Sequence, residues 1–140
     1  MKNKKKKLFQ VKNKKSLYSL EIERISNDIL NNNNVEVHTR SCFLQGLLLM
    51  KKKDIPQKFM TWNHIWQKWH NWLLLKNISP VEACLAYPLS FSEINRVIVW
   101  VDSKSHLNEI ISVANKLKVD SFPEIGSSDQ NLINPAKWDK

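Results

Sequence analysis

The sequence predicts an α/β fold with two parallel strands and mostly helical surroundings. Residues 35–39 alternate apolar and polar side chains and are rich in β-branched residues, which is typical of a strand. Residues 97–101 form a continuous apolar run of the kind found in strands of parallel sheets that are buried on both faces. Helical segments lie next to both runs, and this alternation favours α/β construction.

Length and charge divide the chain into two expected parts. Its 140 residues suffice for one small domain but fall well short of the roughly 250 residues of a complete eight-stranded α/β barrel. The net charge is +9, and much of the excess lies in the lysines of residues 1–16. Such an end attracts phosphate backbones or anionic lipid without specificity, or is simply a solvated terminus. We expect a basic, flexible N-terminal end over residues 1–16 and a domain over residues 17–140.

Two apolar stripes at helical spacing predict helices on either side of the first strand. The first stripe precedes the asparagine run 31–34, which ends a helix because asparagine tolerates left-handed and turn conformations. The second lies in a region with four of the six tryptophans, and its spacing favours a core-facing helix over stacking on nucleic-acid bases. The first stripe comprises Tyr18, Ile22, Ile25 and Ile29, and the second comprises Phe59, Trp62, Trp66, Trp69 and Leu73.

Two more helices are expected in the second half of the chain. Ser79 can cap the first of them, Pro80 suits its first position, and Glu82 completes a capping box. The other helix starts near Ser103 or Ser105. Its apolar face comprises Leu107, Ile110, Ile111, Ala114 and Leu117.

The composition argues against metal-binding and membrane-spanning proteins. Cys42 and Cys84 have neither metal-ligand spacing nor a disulfide framework, so a reduced, cytoplasmic location is expected. The longest apolar run, residues 42–50, is interrupted by Gln45 and Gly46 and is far shorter than the about 20 residues that cross a bilayer.

The segment between the second strand and the last helix is a candidate phosphate site. It reads Asp-Ser-Lys-Ser-His over residues 102–106. Unpaired backbone N–H groups at a helix N-terminus carry partial positive charge, and the hydroxyls of Ser103 and Ser105 and the Lys104 ammonium can add contacts. A plain helix cap explains the same residues. Spacing alone leaves both interpretations open.

Several segments, in order, resemble the last part of an aldo/keto reductase barrel. Residues 40–48, RSCFLQGLL, resemble the seventh-strand segment of one branch of that family, and residues 79–87, SPVEACLAY, are similar to its following helix. Residues 97–103, VIVWVDS, resemble the eighth strand, and residues 133–138, INPAKW, resemble the terminal segment. The resemblance covers about residues 35–138 and implies an incomplete, C-terminal fragment of a (β/α)8 TIM-type barrel.

This resemblance implies a half-site for NADP or NAD. In the family, the loop after the seventh strand and the start of the eighth-strand helix hold the cofactor's pyrophosphate and adenosine phosphate, consistent with the phosphate site late in such barrels. The family's catalytic residues come from the first four strands, so the resemblance assigns none to this chain. The cofactor-binding residues it implies are Ser41, Leu44 and Gly46 at the pyrophosphate, and Asp102, Ser103, His106 and Glu109 at the adenosine end.

Three positions depart from the family pattern, and one of them, Ile110, replaces the family's common Asn, which weakens adenosine recognition. Trp100 stands where the branch has glycine, and an indole there opposes close approach of a cofactor. His106 replaces the usual Arg or Gln, and a neutral imidazole is a poor anchor for a 2′-phosphate. These departures leave the choice between NAD and NADP open.

The favoured function is therefore that of a carbonyl or alcohol oxidoreductase fragment with a cofactor half-site. Such a fragment is either non-catalytic or completed by a partner, namely a missing barrel portion or another copy joined through open strand edges. Two alternatives remain. One is a small basic nucleic-acid-binding protein, although nucleic acid is not the expected partner, and the other is a protein-interaction module that uses the tryptophan-rich helix.

Overall fold

The structure is a computed structural model that describes residues 7–12, 35–92, 94–116 and 118–138. Two sequence predictions lie outside these residues. One is the helix before the first strand, and the other is the last member of the final apolar stripe. The residues concerned are Tyr18, Ile22, Ile25, Ile29 and Leu117.

The strands form an open parallel sheet in the order β1–β2–β3. β1 spans Lys7–Lys12, β2 spans Val35–Arg40 and β3 spans Arg96–Ile98. The central strand, β2, pairs in parallel with both of its neighbours. A mixed α/β architecture with parallel strands and mostly helical surroundings is thus confirmed, and β2 and β3 correspond to the two predicted strands.

β1 adds a strand that the sequence analysis does not predict. The lysine-rich end is expected to be flexible, whereas Lys7–Lys12 pairs with β2 from Lys7 opposite Val35 to Lys12 opposite Arg40. Charge counting cannot reveal this pairing, because the backbone of β2 supplies the hydrogen-bond partners from elsewhere in the chain. The division of the chain at residue 16 stays a prediction.

Four α-helices surround the sheet in the described part of the chain. The predicted caps are present: Ser79 Oγ accepts a hydrogen bond from the Glu82 amide at 3.1 Å, and Ser103 Oγ accepts one from the His106 amide at 3.1 Å. Ser103 rather than Ser105 therefore starts its helix. None of the described helices is long and apolar enough to cross a membrane. The helices are α1 (Asn63–Lys76), α2 (Pro80–Leu89), α3 (Lys104–Ala114) and α4 (Gln130–Ile133).

Short 3₁₀ helices connect the sheet to α1 and end the described chain. Three of them lead from the loop after β2 into α1, and the fourth follows α4, in the tail. They span Leu47–Leu49, Lys52–Asp54, Gln57–Trp62 and Pro135–Lys137.

The tryptophan stripe of α1 lies at the centre of the core. Trp66 and Trp69 are completely buried. The Trp66 indole N–H donates to the Phe59 carbonyl at 2.8 Å, and that of Trp69 donates to the Leu48 carbonyl at 3.1 Å. Because both buried donors have acceptors, the two indoles add apolar contact area without the cost of an unsatisfied polar group. The prediction of a core-facing helix is confirmed.

β3 differs from its prediction in length and in burial. The sequence predicts a strand over residues 97–101 that is buried on both faces, but the strand covers Arg96–Ile98, with both end residues exposed and Val97 half-buried. β3 has one strand neighbour, β2, so its other edge has no strand partner in the described part of the chain. The prediction was wrong because an apolar run indicates suitability for burial and not whether anything covers it.

Candidate functional site

The carboxyl ends of β2 and β3 open into a shared cleft. Because these strands are parallel neighbours, the loop after β2 and the segment after β3 leave the sheet at the same edge. The cleft between them has a volume of about 440 Å³. A crevice at the carboxyl ends of parallel strands is where ligands bind in open α/β sheets.

The structure brings four of the seven predicted cofactor-binding residues together in this cleft. The other three are elsewhere. Leu44 is buried in the core, Ser103 caps α3, and Glu109 is exposed on α3 outside the cleft lining. The four that line the cleft are Ser41, Gly46, Asp102 and His106.

The loop after β2 has an unusual backbone. It has positive φ angles of 67° at Ser41, 47° at Leu44, 53° at Gln45 and 84° at Gly46. L residues adopt this region at an energetic cost, and such strained positions concentrate at functional sites. A Cβ added to Gly46 would meet no heavy atom within 4 Å, so its φ angle and not crowding favours glycine there.

Some backbone amides of this loop donate hydrogen bonds within the loop, and others have no acceptor among the described residues. The Leu44 amide donates to the Ser41 carbonyl at 3.1 Å, and the Gly46 amide donates to the Phe43 carbonyl at 3.0 Å. Among the described residues, no acceptor pairs with the amides of Phe43 and Gln45. Successive amides in a tight loop form anion-binding concavities. The donors available to an anion are therefore not those of Leu44 and Gly46, the residues implied by the resemblance.

On the opposite side, Asp102 and His106 form a pair at the start of α3. Asp102 Oδ1 lies 3.2 Å from His106 Nδ1. An ionised carboxylate can only accept, so Nδ1 carries the hydrogen and donates it. The His106 Nε2 atom is buried without a partner among the described residues, and its ring lies 5.8 Å from the Phe43 ring.

Asp102 also changes the field at the start of α3. Its carboxylate lies beside the helix N-terminus, whose partial positive charge it offsets. The His106 amide is already bonded to the cap residue Ser103. The plain-cap interpretation of this junction is thus confirmed for Ser103, and the junction offers a phosphate less than a bare helix N-terminus would.

Trp100 lines the cleft, and most of its surface faces solvent. Its side chain is 84% exposed, so the indole is not packed into the core beneath the cleft. A broad aromatic face in this position is available for stacking on a flat ligand. The sequence identifies Trp100 only as an obstacle, because residue type does not indicate which way an indole points.

Cys42 lines the cleft, and burial raises the pKa of its thiol to about 12, which disfavours the reactive thiolate at neutral pH. Burial also raises the pKa of the Cys84 thiol, and both thiols are free. Within the described ranges, no group of three or more His, Cys, Asp or Glu side chains is placed to hold a metal.

A charged cluster on β2 and β3 lies outside the cleft and is not predicted from the sequence. Arg96 Nε donates to Glu36 Oε1 at 2.6 Å, and His38 Nε2 lies 3.1 Å from the same oxygen. The hydrogen bond from Arg96, followed by the contact with His38, lowers the pKa of Glu36 to about 2. The only available signal is the two-residue spacing of Glu36 and His38, which puts them on one face of the strand.

The four tryptophans of residues 62–72 do not support a nucleic-acid interface. Trp66 and Trp69 are completely buried and cannot stack on bases. The two half-buried tryptophans of the region are also engaged: Trp62 donates to Asp129 at 3.1 Å, and Trp72 stacks on Trp69 with ring centroids 5.7 Å apart.

Comparisons of the chain with protein-family models, with curated proteins and with solved structures find no match. The geometry of the cleft therefore carries the functional argument.

Proposed function

We propose that this chain binds an NAD-type dinucleotide in the cleft and corresponds to the last two strand-and-helix units of an aldo/keto reductase barrel. One observation carries the proposal. The two segments with the strongest resemblance, residues 40–48 and 97–103, follow or form neighbouring parallel strands and line the same cleft. An antiparallel or distant arrangement would have removed the basis for the resemblance.

The two sides of the cleft suit different parts of such a ligand. Arg40 and the unpaired amides of Phe43 and Gln45 suit the bridging phosphates, because cations and backbone N–H groups stabilise anionic oxygens. Asp102 can accept hydrogen bonds from ribose hydroxyls, and the exposed Trp100 ring can stack on a base. The bound cofactor would supply the hydride, and the protein would supply position and charge.

Under this proposal the described cleft binds without catalysing. Carbonyl reduction needs a proton donor close to the atom that receives the hydride. The cleft lining contains neither tyrosine nor lysine, and its Cys42 thiol is held protonated by burial. Turnover would require residues from further barrel strands, and the open edge of β3 is where a parallel strand could add.

Calorimetric titration of the full chain with NADH tests the binding proposal. We expect saturable binding with a Kd below about 1 mM, which corresponds to about −4 kcal/mol. Arg40→Gln should weaken binding about tenfold, because it removes a charge-assisted contact to phosphate. Lys52→Gln is the matched control, since it removes the same charge from an exposed position outside the cleft. Absence of saturable binding at millimolar NADH, or equal loss in both variants, would rule out this site.

A further inference from the structure

We infer that two copies of this chain associate through the open edge of β3, with residues 96–100 of each copy antiparallel and centred on Ile98. The inference goes beyond the proposed function and does not depend on dinucleotide binding. It assigns a second copy of the chain to an edge that has no strand partner in the described part of the structure.

The backbone of this edge has unpaired groups. In β2, the Val37 carbonyl accepts from the Asn95 amide at 2.9 Å, and the Val37 amide donates to the Asn95 side chain at 2.7 Å. Val37 therefore faces β3, and so does Thr39, because alternate residues of a strand face the same edge. Only one of two opposite residues in a parallel pair bonds across it, so Val97, opposite Thr39, directs its N–H and C=O groups to the open edge. Val99, two residues on, does the same, and its amide has no acceptor among the described residues.

The side chains that alternate with these valines form an exposed face. Arg96 is 69% exposed, Ile98 43% and Trp100 84%. Because Val97 and Val99 between them are half-buried, the alternation typical of a strand continues past the last residue of β3. An exposed apolar segment with unpaired backbone groups is a template for strand addition.

The two edges of the sheet differ in charge. β1, at the other edge, has lysine at both of its ends, Lys7 and Lys12. Lysine on an edge strand opposes the addition of another strand, whereas residues 97–101 contain no charged side chain. The edge of β3 is therefore the one that favours pairing.

The order of side chains along the exposed face makes it self-complementary in an antiparallel pair. Centred on Ile98, such a pair sets Ile98 opposite Ile98 of the second copy and Arg96 opposite its Trp100. These positions are non-hydrogen-bonded pairs, in which the Cα atoms lie about 4.5 Å apart and the side chains are closest, so the guanidinium reaches the indole face. Val97 and Val99 form the hydrogen-bonded pairs between them. A two-fold axis then closes the interface at two copies.

Charge complementarity selects the antiparallel orientation. Arg96 Nε donates to Glu36, which holds the side chain on this face, and the terminal N–H groups of Arg96 have no partner among the described residues. Asp102, the next exposed residue after Trp100, lies diagonally across from Arg96 of the second copy, so a cation meets a carboxylate. A parallel pair in the same register would set Arg96 opposite Arg96, and like charges directly opposite each other are destabilising.

Sedimentation equilibrium of the full chain at micromolar to millimolar concentrations tests the inference, since so short an interface forms a weak dimer. We expect the mass to rise from that of one chain to that of two and no further. Ile98→Glu sets two carboxylates opposite each other and should weaken association at least about tenfold. Within one chain the new carboxylate lies beside Arg40, its register partner, so the fold keeps a favourable neighbour. Leu75→Glu is the matched control, because it makes the same change at an 85% exposed position on α1, and it should associate like the parent chain.

Disulfide trapping tests the register. Under mild oxidation with diamide, Ile98→Cys should cross-link two copies, because Cα atoms about 4.5 Å apart are within disulfide reach. Leu75→Cys is the control for random collision and should stay largely uncross-linked. The native cysteines are the same in both variants, so their reactions do not distinguish them.

Each outcome supports or overturns a stated part of the inference. A single-chain mass at all concentrations overturns it, and so does growth beyond two copies. A dimer that is unaffected by Ile98→Glu, or weakened equally by Leu75→Glu, overturns the role of the β3 edge. A dimer that Ile98→Cys does not cross-link overturns the register. Trp100→Ala removes an exposed ring and should also weaken the dimer, which keeps the test valid if Ile98→Glu is poorly folded.

Discussion

Two regions of the molecule have similarly apolar sequences but differ in the burial of their indoles. The tryptophan region, defined as α1 with the preceding 3₁₀ helix Gln57–Trp62, has completely buried indoles at Trp66 and Trp69, and its exposed apolar side chains, Leu74 and Leu75, lie at its end. The edge region, defined as β3, α3 and the segment between them, leaves Trp100 84% and Ile111 51% exposed. Apolar content therefore does not determine burial here. The contacts that cover a segment do.

The C-terminal tail packs against the tryptophan region. This packing partly explains why the indoles of that region are more buried than Trp100 in the edge region. The Trp138 ring packs edge-on against Phe59, with centroids 4.8 Å apart, and its indole N–H donates to the Leu132 carbonyl at 3.1 Å. Lys58 Nζ donates to the Trp138 carbonyl at 2.7 Å. The cleft instead opens beside the less covered region, as is common for ligand sites, which draw on the less stable parts of a fold.

The largest expected effect is the loss of a buried indole. Trp66→Ala should lower the free energy of unfolding by about 3–5 kcal/mol, because it leaves a cavity and an unpaired Phe59 carbonyl. Trp100→Ala, in the exposed edge region, should change it by less than about 0.5 kcal/mol. Urea unfolding measures both. Similar losses in the two variants would contradict the contrast between the regions.

Removal of the tail contact should have an intermediate effect. We expect Trp138→Ala to lower the free energy of unfolding by about 2 kcal/mol, because the half-buried ring loses its contact with Phe59 as well as buried apolar area. Thermal unfolding followed by circular dichroism provides the measurement. An unchanged melting temperature would show that the tail does not help to cover the tryptophan region.

The two helix caps allow α2 and α3 to be compared directly, with smaller expected losses in the free energy of unfolding. Ser79→Ala removes the cap of the largely buried α2 and should cost about 1 kcal/mol of global stability. Ser103→Ala should mainly fray the start of α3, because that helix buries only Ile110. Hydrogen exchange should therefore accelerate locally in Ser103→Ala and globally in Ser79→Ala. Ser105→Ala, which leaves both caps in place, is the control, and exchange that rises equally in all three would refute this distinction.

The smallest effect should be the pH dependence that arises from Glu36. Because the contact with Arg96 lowers its pKa from 4.5 to about 2, the folded state binds this proton less readily than the unfolded state. The resulting stabilisation is present above pH 4.5 and is lost as the pH falls toward about 2. Glu36→Gln should flatten the stability profile in this window. Glu124→Gln, at an exposed carboxylate, should leave it unchanged, and a profile that is the same in all three proteins would contradict the assignment.

Local chemistry was predictable because its signals lie close together in the chain. The spacing of Ser79 and Glu82 indicates a cap, and the alternation of residues 35–39 indicates a strand, and both are present. The position of Trp66 and Trp69 on one helical face also followed from spacing alone. These features depend on hydrogen bonds and periodicities that span a few residues.

Of the candidate site, the sequence indicated which residues flank the cleft but not how their atoms are used. Asp102 and His106 are expected near a ligand, yet they bond to each other, and the Asp102 carboxylate adds a negative charge beside the helix N-terminus. Leu44 was assigned to the ligand on resemblance, but its side chain packs in the core. Backbone angles and side-chain directions decide such matters, and neither is encoded in residue type.

What the sequence by itself determined in the described part of the chain is the type and order of the predicted elements, their caps and the buried face of α1. The predicted apolar face of α3 is not a buried face, because Leu107, Ile111 and Ala114 are exposed and only Ile110 is buried. Only the tertiary structure decided that Lys7–Lys12 joins the sheet, that β2 and β3 are parallel neighbours, and that the apolar run after residue 96 leaves Ile98 and Trp100 exposed. The physical reason is the separation along the chain over which each interaction acts. Helix caps and side-chain periodicity act over a few residues, whereas strand pairing and burial depend on segments that are distant in the chain and meet only when it folds.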